Sequence, residues 1–84
     1  MNLYLIRRIG EAQYDEYRGA VVCAENAATA ARINPGTGVV MTTEDDWRLC
    51  SDWVGSENDV AVELIGTAMP HLPMCVVLAD FKAG

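Results

Sequence analysis

The side chains that could do covalent or acid–base chemistry in this 84-residue chain are few: one histidine, His71, and three cysteines, Cys23, Cys50 and Cys75. A thiol, an imidazole and a carboxylate brought together would make a nucleophilic centre, with the imidazole taking the thiol proton and the carboxylate orienting the ring. His71 stands between Pro70 and Pro73 with no partner near it in sequence. One histidine without a local partner specifies no catalytic set, although triads are recognised by geometry and not by spacing. The plainer reading is a residue in a stiff surface turn. Cys23 and Cys75 fall in apolar runs, where a thiol behaves as a small hydrophobe. The odd cysteine count argues against a disulfide framework, and no close Cys/His pairs mark a zinc site. The expectation is three reduced thiols in a cytoplasmic protein that is not an enzyme. A small thiol enzyme using one cysteine with His71 is kept as a rival.

Two further patterns invite chemistry. Gly36-Thr37-Gly38 is a GxG, but a phosphate loop needs a strand before it and a helix N-terminus after it. Here an Ala-rich helical stretch precedes and Val39-Val40 follows, so the glycines read as a turn. The second pattern is acidic. Six of the twelve carboxylates (Glu44, Asp45, Asp46, Asp52, Glu57 and Asp59) lie between positions 44 and 59, opposed only by Arg48. A calcium loop wants oxygen ligands at alternate positions, a central glycine and a closing bidentate Glu; Ser56-Glu57-Asn58-Asp59 offers only part of that. Consecutive acids at a helix start diverge around the axis, so neither a metal nor another cofactor is expected.

The same segment holds both tryptophans, Trp47 and Trp53. Concentrated charge steers association, and Trp is an over-represented interface anchor. The expected partner-binding residues are therefore Glu44, Asp45, Asp46, Trp47, Asp52, Trp53, Glu57 and Asp59, facing a protein with a basic surface. Carboxylates on a rigid fold can offer a nucleic-acid-binding groove the charge it takes from phosphates. The bland alternative is a solvated acidic face that keeps the chain soluble. At least one Trp should close the core, because a chain with a single Phe has few large side chains.

The elements that must position these residues form a small α+β domain, residues 1–84, with one antiparallel or mixed sheet of about four strands. Leu3–Ile9 reads as the first strand, with Tyr4, Ile6 and Arg8 on one face and Leu3, Leu5, Arg7 and Ile9 on the other. A polar connection, Gly10–Gly19, carries Tyr14-Asp15-Glu16-Tyr17, where one ring is expected on the sheet and the other is a candidate contact. Ala20–Ala24 is the second strand, antiparallel to the first. Asn26 caps a short Ala-rich helix from Ala27 to about Ile33, closed by Pro35. Val39–Thr42 is a candidate short strand. Thr43 opens a second short helix to about Cys50, with Glu44, Asp45 and Asp46 at the positive end of its dipole. Val60–Gly66 is a strand with Val60, Val62 and Leu64 on one face. Cys75–Phe81 is the last, with Cys75, Val77, Ala79 and Phe81 alternating against Val76, Leu78 and Asp80.

Composition bounds the partner. The chain is 51% apolar with a formal charge of −6, which suits a folded acidic domain and not a disordered one. Six basic residues on such a chain cannot neutralise many phosphates, so direct DNA binding is not expected. Arg7, Arg8, Arg18 and Arg32 could still form a local basic patch. No apolar run approaches the roughly 18 residues of a membrane span, and Met1–Ile6 followed by Arg7-Arg8 reverses the order of a signal peptide.

Leu3-Tyr4-Leu5-Ile6-Arg7-Arg8, Tyr14-Asp15-Glu16-Tyr17, Val21-Val22 before an Ala-rich helix closed by Pro35, Val60–Gly66 and Val76–Gly84 together cover a little over half the chain. In their order they resemble a group of small acidic proteins encoded by bacterial genomes, phages and prophages. The acidic middle departs most from that group, which has no shared activity to carry over. The resemblance implies a mobile-element setting, in which small acidic proteins inhibit host machinery, including CRISPR systems. The combined expectation is a non-catalytic protein in the host bacterial cytoplasm that docks on a host protein. Its most specific form is an anti-CRISPR-like inhibitor covering a nucleic-acid-binding surface. The rival from another class is a structural protein that forms a homodimer through an exposed sheet edge.

Overall fold

In a computed structural model, which describes residues 1–83, the apolar alternation of the N-terminal segment becomes a central strand. Strands β1 (Asn2–Arg8) and β2 (Glu16–Ala24) form the inner pair of a four-stranded antiparallel sheet; β3 (Val60–Thr67) and β4 (Cys75–Lys82) add at either side, in the order β3-β1-β2-β4. Between β2 and β3 the chain makes two short helices, α1 (Ala27–Ala30) and α2 (Glu44–Arg48), and a single 3-10 turn at Glu57–Asp59. The fold is α+β.

Tyr4 and Ile6 of β1 face Val22 and Ala20 of β2 across the ladder, and all four are buried. Residues 27–54 lie over this face and complete the core with Ala30, Ile33, Met41, Cys50, Trp53 and Val54. Val60 and Val62 of β3 and Val76 and Ala79 of β4 pack at its margins. Ile6, Val22 and Ile33 have no exposed surface, and full burial of such a side chain contributes about 1.5–3 kcal/mol. The opposite face, with Leu3, Leu5, Arg7, Val21 and Leu78, has no comparable layer over it, and Leu78 is 69% exposed.

Because β3 and β4 occupy opposite edges, their connection must cross the sheet. It does so beside the start of β1, where the Ala68 amide donates to the Met1 carbonyl (3.0 Å). The Cys23 thiol is fully buried and lies 3.9 Å from both the Leu72 carbonyl oxygen and Met1 Sδ. Among the described residues, no helix is long and apolar enough to cross a membrane.

Several boundaries differ from the sequence reading, each for a local reason. Strand β2 begins at Glu16 and not at Ala20, because Glu16 and Tyr17 pair with Lys82 and Phe81 of β4. Helix α1 stops at Ala30: Ile33 forms a bridge with Val40, and the Asn34 amide donates to the Val39 carbonyl (2.9 Å) around the turn that holds Pro35 and Gly36. The strand expected at Val39–Thr42 is reduced to that bridge. In β4 the simple alternation fails, since a register shift opposite Val21/Val22 leaves Val77 without a cross-strand partner. Such a bulge lets Val76 and Ala79, three residues apart, both reach the core.

Candidate functional site

The acidic segment is organised by its caps. Thr43 and Asp46 form a reciprocal capping box: the Asp46 amide donates to Thr43 Oγ1 (3.2 Å), and Asp46 Oδ2 accepts from the Thr43 amide (3.1 Å) and the Thr42 amide (2.9 Å). The backbone donors of Thr42 and then Thr43 hold the Asp46 carboxyl below the usual carboxylate range. That carboxylate is engaged in starting its own helix. Asp45 forms an exposed ion pair with Arg48 one turn along. The next turn is capped by Ser56, whose hydroxyl accepts from the Asn58 amide (3.2 Å). It carries Glu57, ion-paired to Arg32 Nε at 3.3 Å.

Between the start of α2 and the Ser56 turn lies a groove of about 300 Å³, lined by Thr42, Thr43, Glu44, Trp47, Ser56 and Glu57 among others. Trp47 is half-buried and packs against the core from this side. The groove therefore presents part of an indole with two carboxylates and several hydroxyls, a lining suited to a cation on an apolar stem.

Of the eight residues expected to bind a partner, the groove gathers three: Glu44, Trp47 and Glu57. Asp45 and Asp46 lie on the same short helix but are not in the groove lining; Glu57 is in the lining and is itself ion-paired to Arg32. Asp52 is turned toward β2, where its carbonyl accepts from the Tyr17 amide (2.8 Å) and its Oδ1 lies 3.7 Å from Cys50 Sγ. Burial first, and then the charge of Asp52, push the Cys50 thiol pKa up. Asp59 is exposed, and its carbonyl fixes the end of β1 by accepting from the Ile9 amide (2.9 Å). Trp53 is only 4% exposed and is a core residue; the Arg8 guanidinium lies 5.6 Å from its ring centroid. It cannot anchor a partner without unpacking.

The division of roles between the two indoles carried no signal in the sequence. The sequence reading identifies neither Arg32 as the partner of Glu57 nor the Ser56 cap, although a hydroxyl residue just before an acidic turn is a signal for the latter. The tyrosines split as the loop suggested: Tyr14 is 71% exposed with Lys82 Nζ 5.1 Å from its centroid, and Tyr17 packs edge-on to Phe81 at 4.8 Å. His71 is exposed, and among the described residues no hydrogen bond or ion pair joins it to a thiol or a carboxylate. No group of three His, Cys, Asp or Glu side chains among them is placed to hold a metal ion. The chain matches no protein-family model, no curated protein and no solved structure with which it was compared.

Proposed function

We propose that this protein is a non-catalytic binding protein that docks a basic segment of a host macromolecule in the groove between α2 and the Ser56 turn. The observation that supports this most is the convergence of Glu44, Glu57 and the half-buried Trp47 on one recess. The carboxylates draw a lysine or arginine in, and the indole gives its stem an apolar surface and its charge a π face. Asp45 and Asp59 add to the long-range field without touching the ligand. The most specific form of the reading is inhibition of a host nucleoprotein complex: the acidic side occupies a basic surface that otherwise holds nucleic acid. That form draws on the mobile-element resemblance as well as on charge.

The test is charge reversal at Glu44 and Glu57 together, since both are exposed and neither caps a helix. Reversal at Asp46 would confound the result by removing the capping box. With an arginine-rich peptide as the probe, wild-type affinity should fall as salt rises, and Glu44→Lys with Glu57→Lys should lower it by about tenfold or more. Equal affinity in a double variant with an unchanged circular dichroism spectrum would reject the groove as the docking site. A second reading, self-association through a sheet edge, is favoured by the exposed Leu64 and Leu78 on the two edge strands, β3 and β4. Light scattering separates the two, because a stable dimer at micromolar concentration supports only the second.

A further inference from the structure

The chain carries six cations against twelve carboxylates, yet four of the six line one recess. Arg7, Arg8, Arg18 and Lys82 surround about 370 Å³ at the end of the sheet where β1 leaves and β2 enters, with Glu11 the one carboxylate in the wall. Arg32, a fourth arginine of the basic patch the sequence allowed, is elsewhere and paired with Glu57. The Arg7 guanidinium makes no hydrogen bond or ion pair among the described residues. Arg18 meets Asp80 at 3.4 Å, but both side chains are more than half exposed, so that pair is weak and easily exchanged. Arg8 is fixed by the Tyr17 carbonyl (2.7 Å) and by Glu16 (3.5 Å), while its Nη2 is buried and lacks an acceptor.

The recess adjoins an apolar groove of about 220 Å³ on the open face of the sheet, floored by Leu5, Val21 and Leu78 and sharing Arg7 and Arg18 with it. Gly19 forms the seam. A Cβ there would lie 3.2 Å from Arg7 Cγ, so the absence of a side chain lets the Arg7 stem lie across the β2 backbone. Two exposed guanidinium groups therefore stand at the mouth of a hydrocarbon-lined channel.

We propose that this continuous surface binds a soluble amphiphilic oxyanion, a phosphate or carboxylate head carried on an alkyl or similarly apolar body. The head takes Arg7 and Arg18, displacing Asp80, and supplies acceptors in a recess rich in donors. The body covers Leu78, which is 69% exposed, and the parts of Leu5 and Val21 that the described residues leave open. This inference does not rest on the acidic groove, which lies on the other side of the sheet.

The experiment is a titration of the full chain with octyl phosphate below its micelle concentration, followed by amide chemical shifts. Inorganic phosphate and octyl glucoside supply the head and the tail separately, and octanoate replaces phosphate by carboxylate. Octyl phosphate should bind about tenfold or more tighter than either half-ligand, with shifts centred on residues 5–7, 18–21 and 78–80. Octanoate binding as tightly as octyl phosphate assigns the natural head to a carboxylate, and weaker binding assigns it to a phosphate; both agree with the proposal. Arg7→Ala should cost about tenfold in affinity, as should Leu78→Ser, and both positions are exposed enough to leave the spectrum dispersed. Binding no tighter than inorganic phosphate, or as tight for octyl glucoside, overturns it. So do shifts that map elsewhere, or an Arg7→Ala variant with unchanged affinity.

Discussion

Gly19 gives the most direct test of how the sheet is built. It follows the irregularity at Arg18 in β2, and it sits opposite Arg7 on one side and Asp80 on the other. A methyl group added there would meet the Ile6 carbonyl oxygen at 2.5 Å and Arg7 Cγ at 3.2 Å. The second neighbour can move, being a flexible stem; the first belongs to the central strand of the sheet and cannot. Overpacking of this kind costs about 1–3 kcal/mol, from a total that for 84 residues is roughly 4–13 kcal/mol. In a domain of this size each kcal/mol moves Tm by about 4–8 °C, so Gly19→Ala should lower it by about 4–24 °C, toward the upper end because the backbone contact cannot relax. Gly66→Ala is the matched control, because its Cβ would make only an ordinary 4.0 Å contact with Leu3 Cδ1 in another strand of the same sheet. There the loss of unfolded-state freedom should dominate, leaving Tm unchanged or raised by a few degrees. The assay is thermal unfolding followed by circular dichroism, with urea titration to confirm the ranking. Repeating Gly19→Ala in an Arg7→Ala background separates the two clashes: the penalty should persist, since the backbone contact remains. Equal melting of the Gly19 and Gly66 variants would refute the close approach. Full rescue by Arg7→Ala would show that the side chain and not the backbone is the obstacle.

Two other outcomes follow from titratable groups. Asp46 ionises more readily in the folded chain than in the unfolded one, so its contribution is present above the ordinary carboxylate pKa of about 3.9 and is lost as pH falls through its lower folded value. Melting of the wild type between pH 6 and pH 2, compared with Asp46→Asn, should show a smaller acid-induced loss in the variant; parallel curves would mean the box does not hold in solution. For the thiols, Cys23 and Cys50 are buried and Cys75 is partly exposed, and burial keeps Cys50 protonated. Labelling of the native protein at about pH 8 should therefore modify Cys75 first, and rapid modification of Cys50 or Cys23 would contradict the packing.

How much of this was readable beforehand depends on whether a residue's role is periodic or local. Tyr4 and Ile6 alternate with Leu3 and Leu5, so the central strand and its buried face were legible. Asn26 and Thr43 announce caps, and both caps are made. The start of β2 was not legible, because Glu16-Tyr17-Arg18 is polar and its strand character comes only from pairing with the far end of the chain. The bulge in β4 is invisible for the same reason: it depends on register against Val21 and Val22. Met41, Cys50 and Val54 enter the core from segments with no period at all. In the acidic stretch charge was visible and geometry was not. Residue counting could not separate Asp46, which caps, from Glu44, which lines a groove, or Trp53 from Trp47.

Arg7 and Arg8 show how one dipeptide can serve two surfaces. Neighbours in a strand point to opposite faces. Arg8 goes under the covering layer, against Trp53 and Glu16; Arg7 goes to the open face, beside the apolar groove. The sheet thus separates an acidic side, built from residues 44–59, from a side where Arg7 and Arg18 stand over hydrocarbon. Ligands of opposite charge should then bind without competing. Arg8 both lines the basic recess and touches Trp53 in the core beneath the acidic segment, and it is already held by two partners. Coupling through it should be small, and by linkage it must be equal in both directions. The affinity of an arginine-rich peptide should therefore change by less than about twofold when octyl phosphate is saturating, against the fivefold or more typical of allosteric coupling. A change of that larger size, persisting at high salt where direct attraction between the ligands is screened, would show that the sheet does not insulate the two sides and that Arg8 and Trp53 connect them.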